Sequence, residues 1–167
     1  MKNAFLVVVS LVSIFIISCK KDAKCPYSDS SVVAPASEVD SIKRYLIAQN
    51  ITTAVQHPSG IFYVIGAPGT GSATPEVCSD LTVQYQGYLF SGAHFDGTTG
   101  SDQARFTLGQ TIEGWKKGLP VIKAGGNVTL YIPPSLGYGG NNVSNGGVVI
   151  IPANSYLRFT VSLIAVQ

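Results

Sequence analysis

From residue 60 onward, apolar and polar positions alternate in short runs that turn residues separate. LTVQYQGYLF (81–90) places Leu81, Val83 and Tyr85 on one face and Thr82, Gln84 and Gln86 on the other. YLRFTVSLIAV (156–166) repeats the pattern with Leu157, Phe159, Val161 and Leu163. Period-two patterning of this kind predicts half-buried strands. IFYVI (61–65), ARFTL (104–108) and NVTLYIPP (127–134) are rich in β-branched and aromatic residues and predict three more. Two segments depart from this period. SEVDSIKRYLIAQN (37–50) sets Val39, Ile42 and Leu46 on one stripe with Tyr45 beside it, and predicts an amphipathic helix with Ser37 as N-cap and Asp40 three residues on. TIEGWKKGLPVI (111–122) aligns Ile112, Trp115 and Leu119 and predicts a second, short helix. Strands outnumber helices, with one helix in mid-chain. The expected class is α+β: an antiparallel sheet curled over a single short helix, with an N-terminal helical extension.

LGYGGNNVSNGGVVIIPANSYLRF (136–159) fits neither period. It places Tyr138 between glycines, continues through a stretch too rich in Gly and Asn for regular structure, and closes on Ile150-Ile151-Pro152. It contains no carboxylate, imidazole or thiol, so any chemistry there proceeds without proton transfer.

The first residues follow another logic. Met1-Lys2-Asn3 is a short basic start, Ala4 to Ile17 is apolar throughout, and Ser18-Cys19 ends the run. An apolar stretch too short to span a bilayer comfortably predicts a secretory signal over 1–18. Its end resembles a lipoprotein box, which implies cleavage before Cys19, acylation of its sulfur, contact with a lipid bilayer through that group and a bacterial cell-envelope location, the outer membrane first. An ordinary signal peptide or an uncleaved anchor are the alternatives. Residues 20–35 are polar and Pro/Ser-punctuated and read as a tether, so the expected organisation is signal 1–18, tether and helix 19–58, and main domain 59–167.

Charged residues make up 12% of the chain and the formal net charge is +2, falling to +1 if Lys2 leaves with the signal. No basic cluster with interleaved aromatics exists, which argues against a nucleic-acid partner. With Cys19 acylated, Cys25 and Cys78 remain; an oxidising compartment would make them a disulfide, and otherwise they are two unrelated thiols. Only His57 and His94 are available as imidazoles, His57 in the turn His57-Pro58-Ser59-Gly60, and no CxxC spacing occurs. No metal site and no cofactor are expected.

VQYQG (83–87), HFDGT (94–98), FTLG with IEGWKKGL (106–119), LGYGG and IIPANSYLRFTVSLI resemble, in that order, the FKBP family of prolyl isomerases. The likeness runs from about Gly60 to Val166. It implies a half-wrapped antiparallel sheet around one short helix and isomerisation of Xaa–Pro bonds in polypeptides. It also implies a pocket with Trp115 as floor and Tyr85, Phe95 and Phe159 as walls. Asp96 and Phe106 belong to the same ring, Tyr138 and the Ile112 backbone N–H serve as donors, and Ile150 and Ile151 form one shoulder of the mouth. Macrolide immunophilin ligands are the small-molecule partners it implies; oligomeric state stays open. Three departures bear on turnover. Ala104 stands where many members have an aromatic residue, no arginine follows Asp96 before Arg105, and the segment before Trp115 is short. A binding or chaperone-like module, or an envelope scaffold dimerising through the N-terminal helix, are the rival readings.

Overall fold

A computed structural model describes residues 25–167; the signal segment and Cys19 lie outside the described residues. The elements in chain order are α1 (Ala36–Ala48), β1 (Val55–Gln56), β2 (Phe62–Ala67), β3 (Asp80–Leu89), β4 (His94–Gly97), β5 (Ala104–Thr107), α2 (Glu113–Gly118), β6 (Gly126–Ile132), β7 (Val143–Asn145), β8 (Val148–Ile151) and β9 (Leu157–Val166). Single 3-10 turns occupy Leu108–Gln110, Leu119–Val121 and Pro134–Leu136. A seven-stranded sheet runs β1-β2-β6-β9-β3-β4, with β5 also on β3. All of its pairings are antiparallel.

The last strand in sequence is central in space. β9 is paired along its length with β3 on one side and β6 on the other, and Phe159 lies opposite Gly87 and Leu130. Leu157, Phe159, Val161 and Leu163 are all buried, as their alternation requires. α2 lies flat on β6 because its sequence removes side chains where it touches. A Cβ at Gly114 would stand 2.5 Å from Ile132, and one at Gly118 2.5 Å from a Leu130 methyl. Those two glycines, four apart, let the helix approach closely and turn Trp115 into the concave side of the sheet.

α1 buries Val39, Ile42 and Leu46 on the domain, and Tyr45 stacks on Phe90 with ring centroids 3.8 Å apart. Its start differs from expectation. The N-cap is Pro35, without a side-chain cap; Ser37 lies inside the first turn, and Asp40 pairs with Lys43 at 3.3 Å. The backbone of Ala34 donates to Ser59 O at 2.9 Å and so fixes the entry of the chain, leaving no capping task for Ser37.

Within the expected tether of 20–35, residues 25–35 are docked on the domain as a strap. Cys25 is joined to Cys78 with Cα atoms 5.8 Å apart. Lys117 donates to Asp29 at 2.6 Å and to Ser30 O, and Ser30 Oγ donates to the Glu113 carboxylate. The Lys117 hydrogen bond holds the Asp29 carboxyl below the usual range against a small opposing burial effect. Ahead of residue 59, β1 joins the sheet by pairing with β2. In the Gly/Asn-rich loop, expected to be irregular, β7 and β8 form a separate two-stranded hairpin turning through Gly146 and Gly147, both at positive φ. The predicted second helix is a single α-helical segment, 113–118, extended by a 3-10 turn where Pro120 interrupts it.

Candidate functional site

Trp115 is 4% exposed and is the only tryptophan in the chain. Three rings stand edge-on to its indole: Tyr85 from β3, Phe106 from β5 and Phe159 from β9, with centroids 5.4, 5.6 and 5.4 Å away and interplanar angles of 86°, 88° and 85°. Edge-to-face packing sets ring edges against the π-face and leaves a rigid apolar cup. The cup encloses a cavity of about 230 Å³, lined by these four rings with Gln110, Thr111, Ile112 and Tyr138. Trp115 Nε1 is buried and has no hydrogen-bond partner among the described residues.

Tyr138 enters from the loop after β6 and is 37% exposed. The chain around it is pinned: Gly139 N donates to Pro134 O at 2.9 Å and Gly139 O accepts from Asn154 N at 2.8 Å. Gly139 takes φ +63°, which a glycine adopts without strain. Tyr85 donates its hydroxyl to Asp96 Oδ2 at 2.7 Å, while Asp96 Oδ1 accepts the Gly97 N–H at 2.9 Å. Asp96 therefore shapes its own turn and orients a wall residue at once. Burial, then the hydrogen bond to Asp96, pushes the Tyr85 phenol well above its ordinary value. Burial and the Asp96 charge raise Tyr138 as well. Both hydroxyls stay protonated donors at any physiological pH.

Tyr85, Phe106, Ile112, Trp115, Tyr138 and Phe159 thus meet around one cavity. The remaining candidates sit differently. Phe95 packs edge-on behind Phe159, centroids 5.5 Å apart, and does not line the cavity. A Cβ at Gly87 would strike both of those rings at 2.8–2.9 Å, so that strand position must be glycine. Ile151 is 2% exposed in the core and Ile150 packs against the core, while the cavity is lined by other residues. Gln110 and Thr111 do line it and escaped sequence reasoning. Gln110 ends the 3-10 turn that precedes α2, and no sequence signal marked it. His94 is exposed and bonded to Gln86 at 2.8 Å, and His57 contacts Ser59 at 2.9 Å. Among the described residues no three His, Cys, Asp or Glu side chains converge to hold a metal.

Residues 71–164 match the family model described as FKBP-type peptidyl-prolyl cis-trans isomerase. The chain belongs to this family. FkpA of Escherichia coli K12, an FKBP-type isomerase by name, is 39% identical over 110 residues, 65% of this chain and 38% of that one. Its namesake in Buchnera aphidicola of Schizaphis graminum is 37% identical over 110 residues, 65% of this chain and 42% of that one. This FKBP chain therefore spans about two fifths of the length of those relatives. The crystal structure of Escherichia coli FkpA superimposes with a TM-score of 0.66 at 34% identity, over 79% of this chain and 60% of that one. A peptidyl-prolyl isomerase of Pseudomonas syringae gives 0.65 at 26% identity, over 80% of this chain and 97% of that one.

Proposed function

We propose that this FKBP domain catalyses cis–trans isomerisation of Xaa–Pro bonds in envelope or secreted polypeptides. The observation that carries the reading is the largely apolar aromatic cup around Trp115 with a protonated phenol, Tyr138, on its lining. Rotation about the imide faces a barrier of ~18–20 kcal/mol because twisting breaks amide resonance. The twisted bond is less charge-separated than the planar one, so water favours the planar ground state. Enclosure by Tyr85, Phe106, Trp115 and Phe159 removes that preference from the proline ring and its imide. Tyr138 donates to a substrate carbonyl and the Ile112 N–H, at the N-cap of α2, supplies a second donor. A millionfold acceleration needs about 8 kcal/mol of binding expressed only in the twisted state, and no proton moves. A protease-coupled assay on Xaa–Pro peptides tests this. Acceleration above background is expected, and none at micromolar protein would refute it.

One observation favours a second reading. Asp96 has a phenol and a backbone N–H as partners but no cation among the described residues, where the family resemblance implies an arginine. A module that binds proline peptides and turns them over slowly would show peptide binding without acceleration in the same assay.

We further propose that Cys19 is acylated and holds the domain on the envelope membrane. The apolar run before it and the Cys25–Cys78 bridge, which persists in oxidising compartments, support this. Cys25 is fixed to the domain, so the intervening residues could extend at most roughly 20 Å. The cavity would work close to the bilayer. Among the described residues no helix is long and apolar enough to cross a membrane. Incorporation of labelled fatty acid that disappears in Cys19→Ala is expected; unchanged labelling would refute the anchor.

A further inference from the structure

Four of the eight residues that line the cup, Gln110, Thr111, Ile112 and Trp115, belong to one short segment of the chain. It runs from the 3-10 turn at Leu108–Gln110 into α2. That helix has six residues, too few to be stable by itself, so the place of those four side chains depends on what the segment packs against. On one side α2 lies on β6 through Gly114 and Gly118. On another it meets the strap: Glu113 and Lys117, four apart and so neighbours on the helix surface, reach Ser30 and Asp29.

The strap also holds the start of the segment. The Tyr27 ring lies so close on Gly109 that a Cβ there would stand 2.4 Å from it, and Gly109 N donates to Val77 O at 2.6 Å, next to the bridged Cys78. Gln110 Nε2 donates to the Tyr27 hydroxyl at 2.5 Å. Tyr27 is half-buried and stands two residues from Cys25, which the bridge fixes covalently to the domain. Its hydroxyl is therefore a fixed point. Gln110, by contrast, is exposed and carries a long side chain with much rotamer freedom to lose.

We propose that Tyr27 is a positioning residue of the cup: its hydroxyl fixes the Gln110 side chain in the cavity wall before a proline peptide arrives. The proposal rests on reading the aromatic cup as the proline site. Without that partner Gln110 must be ordered as the peptide binds, a cost equivalent to about twofold to tenfold in affinity. Preorganisation of this kind acts alike on the planar and the twisted imide, so it belongs to KM and leaves kcat as it is.

Tyr27→Phe keeps the ring on Gly109 and the Cys25–Cys78 bridge and removes only the hydroxyl. The wild-type full chain, Tyr27→Phe, Gln110→Ala and the double variant are titrated with short Xaa–Pro peptides, followed by the emission of Trp115, the chain's single tryptophan. The same peptides are run in the isomerase assay, and Tm certifies that each variant folds. Tyr27→Phe is expected to weaken binding and raise KM about twofold to tenfold at unchanged kcat. In the Gln110→Ala background the same substitution should change neither, because the group it acts through is gone. Unchanged binding in Tyr27→Phe overturns the proposal, as does a loss confined to kcat. A loss of equal size in both backgrounds also overturns it, leaving Tyr27 a packing residue that does not act through Gln110. Peptide binding without acceleration retires the isomerase reading, and the binding cycle then decides the role of Tyr27 by itself. Failure of the wild type to bind any proline peptide retires the proline site and this role with it.

Discussion

Trp115→Ala tests the cup most directly. The indole is 4% exposed and takes the edges of three rings at 5.4–5.6 Å, so truncation costs stability in the range ~3–5 kcal/mol for a buried large aromatic. Against a total of about 5–15 kcal/mol the domain can survive it. The catalytic loss has a separate origin. Removing the floor lets water reach the imide and restores the solvation of the planar state. If the floor supplies about a third of the ~8 kcal/mol needed for a millionfold effect, kcat/KM falls roughly 50- to 100-fold. Asp96→Ala removes an exposed acceptor from the Tyr85 hydroxyl and from Gly97, worth about 1 kcal/mol as a typical net hydrogen bond and hence roughly fivefold. The assay is kcat/KM on one Xaa–Pro peptide for wild type, Trp115→Ala, Trp115→Phe and Asp96→Ala, with circular dichroism to certify folding. Trp115→Phe, which keeps an apolar ring, should fall between wild type and Ala. An Asp96→Ala loss equal to or larger than that of a folded Trp115→Ala would refute the desolvation argument.

Two further outcomes follow from the strap and the phenols. Cys25 and Cys78 are 53 residues apart, and loop closure over that separation is worth about 4 kcal/mol in the chain-entropy picture; Cys25→Ser should lower Tm by roughly 10 °C, and a shift below about 3 °C under oxidising conditions would contradict it. Burial raises Tyr85, Tyr131 and Tyr138 above the ordinary tyrosine value. Their neutral forms are favoured on folding, so this stability is complete below about pH 10 and is lost as pH climbs through the raised values. Denaturant midpoints should fall steadily above pH 10, less steeply in Tyr85→Phe, and an equal slope in that variant would contradict the assignment.

What could be read ahead of the structure was whatever repeats with a period. β9 alternates along its length and α1 carries its stripe over 13 residues, so their buried faces were legible; on β3 Thr82 is buried beside Leu81 and Val83 despite lying on the polar face. β1, β4, β7 and β8 have two to four residues, too few to show a period, and their pairing partners decide them. Six rings and side chains of the cup were legible through family likeness, because each sits on a regular element or beside a marked glycine. Gln110, Thr111 and the docked strap were not. Tyr27 meets Gln110 across 83 positions of sequence, and nothing in either neighbourhood announces the other. Ile150 and Ile151 follow the same logic as the short strands: a four-residue strand is too short to show from sequence which of them packs in the core.

Because β9 is bonded on both sides, Phe159 belongs to the part of the molecule that opens only when the whole domain does. The β7–β8 hairpin, by contrast, shares no strand pairing with the large sheet. Amide exchange should be slowest at the back wall and fastest at that hairpin, and a polypeptide would gain access by displacing the front of the cup while the rear keeps its shape.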